Sequence, residues 1–156
     1  KHMLFDIEKI EINAAFYELF ESVFGEDFFA VLAQIRPTGR IQALRTRATK
    51  MVKEEDENTH EMIEKPKMDL SILDESEQKE VMDYNIQAGI KSKKYTPRIA
   101  YIGSLLYKKK YNGSMNDYYS WLASFDASVF NDKEVLQQIW EKITKDQKVP
   151  DSAKNA

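Results

Sequence analysis

Apolar residues return every third or fourth position along most of this chain, the spacing that lines up one face of a helix. Phe16, Phe20 and Phe24, beside Leu19 and Val23, make one such face from Ala14 to Phe24, with Asn13 placed to cap it. After Gly25, Phe28, Val31, Leu32 and Ile35 repeat the pattern until Pro37 and Gly39 interrupt it. A third helix is predicted from Arg40 to Lys53, because Ile41, Leu44, Ala48, Met51 and Val52 fall within an arc of about 100° when each residue advances about 100°. Ahead of these, Leu4 to Ile12 alternates loosely through Ile10 and Ile12; it suits a short strand, although Ile7 suits a helix equally well.

The periodicity collapses at Glu54-Glu55-Asp56-Glu57-Asn58-Thr59 and again at Pro66, which reads as a mobile connection over about 54–70 dividing the fold into two packed lobes. Asp74 with Glu77 then resembles a capping box and opens a helix to about Lys93 carrying Val81, Met82, Ile86 and Ile90. Thr96 as N-cap and Pro97 at the first helical position predict a new helix bearing Ile99, Ile102, Leu105 and Leu106, stopped by Gly113. Ser114 with Asp117, and Asn131 with Glu134, mark two further starts; the last helix aligns Val135, Leu136, Ile139, Trp140 and Ile143. No internal repeat is evident. The expected fold is an all-α, compact bundle of about six or seven helices with room for one short N-terminal strand. It occupies residues 3–146 as a single helical domain, followed by a polar tail over 147–156 that is expected to be disordered.

Composition narrows the chemistry. The chain of 156 residues has 42% hydrophobic and 31% charged residues, an ordinary globular balance. It has no cysteine, which removes disulfides, thiolate nucleophiles and zinc sites built on Cys. Only five glycines and four prolines leave little turn chemistry for a sheet-rich fold. The net charge of −3 gives no global attraction to nucleic acid or anionic lipid, and no apolar run approaches a membrane span. The start lacks the basic-then-apolar layout of a secretory signal, so a reducing cytoplasm is expected. Lys1 and His2 before Met3 read as an expression remnant, leaving His60 as the native histidine.

Candidate chemistry is sparse. Arg36, Arg40, Arg45, Arg47, Lys50 and Lys53 lie in a stretch without an acid between Asp27 and Glu54, which raises phosphate binding. On a helical projection, however, they wrap the helix rather than forming a stripe, so a solvated face is the better reading. Lys108-Lys109-Lys110 suits the carbonyl end of a helix dipole. Glu54-Glu55-Asp56-Glu57 lacks the ligand spacing and the glycine of a calcium loop. His60 stands in an acidic linker, and no nucleophile, Walker, dinucleotide or zinc-protease motif occurs, so neither catalytic residues nor a metal or cofactor is expected. The chain reads as a binding protein rather than an enzyme.

Aromatics carry the functional interest. Tyr95, Tyr101, Tyr107, Tyr111, Tyr118, Tyr119, Trp121 and Phe125 crowd one region, and such side chains bury area while keeping a polar tip. Ile99, Ile102 and Leu106 already supply a core stripe, whereas Tyr101, Tyr107 and Tyr111 point roughly 80° to 200° away from Ile99. Tyr118 and Tyr119 cannot share one core, nor can Phe28 and Phe29. The protein-binding candidates are therefore Tyr101, Tyr107, Tyr111, Tyr118, Tyr119 and Trp121, a surface for self-association or for capture of a partner helix.

The segment from Thr96 to Ala156, in Tyr118-x-x-Trp121-Leu122-x-x-Phe125-Asp126, then Phe130 and Asp132-x-Glu134-Val135-Leu136-x-x-Ile139, with a polar finish near Gln147-Lys148 and Ser152-x-Lys154-Asn155, resembles the tail assembly chaperones of long-tailed bacteriophages of Gram-positive hosts. About two fifths of the chain carries this resemblance. It implies a late, non-virion viral protein of the host cytoplasm. Such a homo-oligomer keeps the phage tape measure protein soluble through aromatic grooves and helps tail tube protein gather around it. A long helical protein with an exposed apolar stripe aggregates unless covered, and many weak sites in an array cover it reversibly. Two other readings stand beside this one: a small DNA-binding regulator using the Arg40 to Lys53 helix, and a structural connector subunit of the virion.

Overall fold

A computed structural model describes residues 3–146, and the tail expected over 147–156 lies outside them. Among the described residues the chain forms six α-helices, three short 3-10 turns and one antiparallel pair of strands. The fold is therefore mixed, and the expectation of an all-α bundle of six or seven helices is corrected by a β-hairpin in the middle of the sequence. The chain divides into two compact units: residues up to 34 together with those from 90 onward, and residues 35–89.

In the larger unit the first helices follow their sequence signals. Helix α1 (Phe16–Phe24) begins where the Asn13 Oδ1 accepts the Ala15 amide at 3.0 Å, and it ends at Gly25, whose φ of 68° lets its N–H reach the Glu21 carbonyl. Helix α2 (Phe28–Ile35) begins over Asp27, whose Oδ1 accepts the Ala30 amide. Phe16, Phe20, Phe24 and Phe28 are all buried, and edge-on contacts such as Phe16–Phe28 at 5.0 Å interlock the two helices. The residues before α1 do not form a ladder strand. They make a 3-10 turn at Ile7–Lys9, a single parallel bridge from Met3 to Phe125, and a hydrogen bond from the Glu11 amide to the Gly103 carbonyl.

Two helices predicted separately are one. Helix α4 (Glu75–Tyr107) runs through Thr96 and Pro97 without a break. Thr96 is not an N-cap: its hydroxyl donates back to the Ser92 carbonyl, as threonine does inside helices. Pro97 cannot donate to the carbonyl four residues before it, a defect of about 3 kcal/mol in an isolated helix. Burial outweighs that defect, because Tyr95, Thr96, Ile99, Ala100, Tyr101, Ile102, Leu105 and Leu106 are buried around the whole circumference. The helix ends before Gly113. Lys109 takes φ 57°, its N–H bonds to the Leu106 carbonyl and that of Lys110 to the Leu105 carbonyl, a Schellman closure built without glycine.

Helix α5 (Met115–Ala123) starts with the predicted reciprocal cap between Ser114 and Asp117. A 3-10 turn at Val129–Asn131 leads into helix α6 (Lys133–Asp146). Its cap is Asp132, which accepts the Glu134 amide at 2.8 Å, and not Asn131, whose side chain donates to the Ala127 carbonyl. Ile139 and Ile143 are buried, and the Trp140 Nε1 donates to the Thr96 Oγ1 at 2.8 Å.

In the smaller unit, helix α3 (Gly39–Ala48) is capped by the Thr38 hydroxyl and buries Ile41, Leu44 and Ala48, as the periodicity indicates. It stops short of Lys53. Strand β1 (Thr49–Glu55) follows directly and pairs antiparallel with β2 (Met62–Met68), Thr49 opposite Met68 and Glu55 opposite Met62. Met51 and Val52 therefore leave the helical stripe, and Met51 is exposed. The acidic run read as a mobile connection instead ends β1 and makes the turn of this hairpin. The Asp56 Oδ1 accepts the amides of Asn58 and Thr59, its N–H donates to the Glu61 carbonyl at 2.8 Å, and His60 takes φ 59°. A 3-10 turn at Leu70–Ile72 precedes the reciprocal cap of Asp74 and Glu77 that opens α4. The core here is small: Leu44, Ala48, Leu73 and Val81, with Leu70 against them. Met82, Ile86 and Ile90, apolar positions of the same helix, are exposed.

Candidate protein-binding surface

The structure does not gather the six aromatic candidates on one surface. Tyr101 and Tyr118 are buried, at ring distances of 5.5 Å from each other and 6.4 and 5.1 Å from Phe24. Tyr101 points away from Ile99 as the projection requires, but α5 covers it, so the element it meets belongs to the same unit. Trp121 is half-buried, 5.4 Å from Tyr101 and 4.9 Å from Phe125. Tyr107, Tyr111 and Tyr119 are exposed. Neighbours split as crowding demands: Tyr118 is buried and Tyr119 exposed, Phe28 buried and Phe29 exposed.

A cleft forms beside Trp121. Its volume is about 300 Å³, and its walls include Met3, Phe5, Ile10, Trp121 and Phe125, with Asp6, Lys9 and Lys108 among its polar groups. Leu4 at the same cleft is 91% exposed. Backbone contacts create this wall. The Met3 amide donates to the Ser124 carbonyl at 2.8 Å, and Phe5 packs edge-on against Phe125 and Phe130. Gly103 admits the segment, since a Cβ there would stand 2.3 Å from the Ile10 Cγ2. Sequence reading missed this cleft because its wall is the weakly patterned stretch Leu4 to Ile12, whose role depends on where Gly103 lies in space.

Behind the tyrosines lies a caged cation. The Arg98 guanidinium stands 4.9 Å from the Phe24 ring centre, 5.7 Å from that of Tyr95 and 5.8 Å from that of Tyr118, with its side chain only 14% exposed. Glu26 answers it at 3.5 Å and accepts the Tyr95 hydroxyl at 2.8 Å. Burial pushes the Tyr118 phenol up to about 12, against a smaller opposing effect of Arg98. Burial, then the hydrogen bond to Glu26, raises that of Tyr95; burial also raises Tyr101. Arg98 and Glu26 hold the aromatic cluster in place, and burial keeps its phenols neutral.

The basic stretch has partners. Arg40 pairs with Glu80 at 3.0 Å, Arg47 with Glu77, and Lys50 with Asp69 at 2.9 Å. Asp69 is held down to about 2 by Ser71 and Lys50, and Glu77 is lowered by Arg47 and the Asp74 amide. The acids Glu54 and Glu55 lie on β1, facing Lys67 at 3.9 Å and His60 at 3.1 Å. Among the described residues no helix is long and apolar enough to cross a membrane. No family model, curated protein or solved structure matches the chain.

Proposed function

We propose that this protein binds an apolar segment of a partner chain, and that the partner is the phage tape measure protein, as the resemblance over Tyr118 to Ile139 implies. The observation that supports this reading is the cleft itself: an apolar recess of about 300 Å³, walled by Trp121 and Phe125 and edged by charge, is large enough for one or two side chains of a bound helix. Trp121 and Phe125 are also residues of the resembling motif. The exposed Tyr107, Tyr111 and Tyr119 offer further contact area of the kind that binds without tight commitment.

Co-expression tests it. A tape measure fragment that is insoluble alone stays in the supernatant with this protein, and Leu4→Asp, at a side chain that holds no core together, lowers the soluble fraction severalfold. A wild-type protein that leaves the fragment in the pellet overturns the proposal. The DNA-regulator reading is weakened by the acids that pair Arg40, Arg47 and Lys50. Mass spectrometry of purified particles separates a chaperone from a connector subunit, since only the latter is found in the virion.

A further inference from the structure

The hairpin has two outer edges, and among the described residues no third strand pairs with either. An unpaired edge presents a row of N–H and C=O groups that another strand can complete. The two edges are not equivalent. β2 carries Pro66, which has no N–H and fits a regular ladder only with its nitrogen facing away from the neighbouring strand. The outer edge of β2 is therefore interrupted at its middle. Met51, in register with Pro66, directs its own N–H and C=O outward, and alternation extends this to Lys53 and Glu55 and to the Thr49 carbonyl, the Thr49 N–H being bonded to the Thr46 carbonyl. The edge of β1 is uninterrupted from Met51 to Glu55.

We propose that β1 pairs antiparallel with β1 of a second copy about a two-fold axis at Val52, joining two hairpins into one four-stranded sheet. The sequence Thr49-Lys50-Met51-Val52-Lys53-Glu54-Glu55 is self-complementary in this arrangement alone. Lys50 of each copy stands opposite Glu54 of the other, Val52 opposite Val52, and Met51 opposite Lys53. In-register parallel pairing would set lysine on lysine and glutamate on glutamate, which is destabilising. The hydrogen-bonding positions agree as well. The outward groups of Met51 and Lys53 form the bonded pairs, while Val52 and the Lys50–Glu54 contacts fall at non-bonded positions, where facing side chains lie closest. Within one copy Lys50 reaches Asp69 and Glu54 lies 3.9 Å from Lys67, yet Lys50 and Glu54 remain 51% and 46% exposed and available to a second chain. This interface is independent of what the cleft near Trp121 binds.

The absence of cysteine makes the test clean. In Val52→Cys the single thiol meets its own copy across a Cα separation of about 4.5 Å, inside the disulfide range. Mild oxidation then gives a covalent dimer of two 18.2 kDa chains. Lys65→Cys, on the same face of β2, stays uncrosslinked because three strand spacings, about 14 Å, separate the two thiols. In sedimentation, Lys50→Glu and Glu54→Lys each weaken self-association on the order of tenfold or more by opposing like charges. Mixing the two variants restores a heterodimer, since each then supplies the charge the other needs. That recovery, with unchanged circular dichroism, distinguishes a lost contact from a lost fold, and Glu54→Lys leaves the Lys50–Asp69 pair intact. A wild-type monomer at high micromolar concentration overturns the proposal. So does association that both charge variants leave unchanged, or crosslinking of Val52→Cys no faster than that of Lys65→Cys.

Discussion

At the scale of single residues, Arg98 shows how a charge is kept inside an aromatic cluster. Three rings and the Glu26 carboxylate surround its guanidinium, and a planar, weakly hydrated cation suits rings that a compact ammonium does not. Arg98→Lys is expected to lower stability by about 1–2 kcal/mol in urea unfolding despite keeping the charge, because the stacked contacts are lost. Tyr118 gives a second measurement. Its folded-state value of about 12 lies above the ordinary 10.0, so its contribution to stability is complete below pH 10 and is lost as pH rises toward 12. Absorbance titration of phenolate should show a late-ionising tyrosine near pH 12 that Tyr118→Phe removes. Gly103 is the third case: a Cβ at 2.3 Å from Ile10 cannot be accommodated in place, so Gly103→Ala is expected to cost about 1–3 kcal/mol and to disturb the cleft wall.

Elements were legible where a local signal decides them. The Ser114–Asp117 and Asp74–Glu77 caps, the glycine at the end of α1 and the buried stripe of α3 all follow from side chains within a turn of one another. Errors arose where remote packing outweighs a local signal. Thr96-Pro97 has the composition of a helix start, but burial of the surrounding residues carries α4 through it. The hairpin escaped notice because its turn uses Asp56 hydrogen bonds and a positive φ at His60 in place of glycine, and because its strands alternate weakly, being exposed on both faces. Pro66 has its consequence at this scale. Pro66→Thr restores an N–H to the outer edge of β2, and light scattering should then detect concentration-dependent assemblies larger than a dimer.

At the scale of the whole molecule, the two units rest on different physics. The larger unit buries an extensive aromatic and aliphatic core, whereas the smaller has a core of a few side chains supported by the Lys50–Asp69, Arg47–Glu77 and Arg40–Glu80 pairs. Asp69, Glu77 and Asp56 all have carboxyls lowered from ordinary values of 3.8 or 4.5, so their contribution is present above those values and is lost as pH falls through the folded ones. Amide hydrogen exchange is expected to report loss of protection in residues 35–89 between about pH 4 and pH 2, before residues 90–146, and Lys50→Met should raise the pH at which this begins.

By itself the sequence determined the mostly helical content, the positions of several caps, the buried stripes of α1, α2 and α6, and the concentration of aromatics between Tyr95 and Phe125. These are properties of side chains close along the chain, and periodicity and capping report them directly. Tertiary structure alone decided which aromatics remain outside. Tyr101 and Tyr118 are enclosed because α1 and α5 close over that face of α4, while Trp121 meets a cleft because Gly103 lets the N-terminal segment approach. It also decided that the acidic stretch is a hairpin with an open, charge-patterned edge, since a strand exists only when a distant segment supplies its hydrogen bonds.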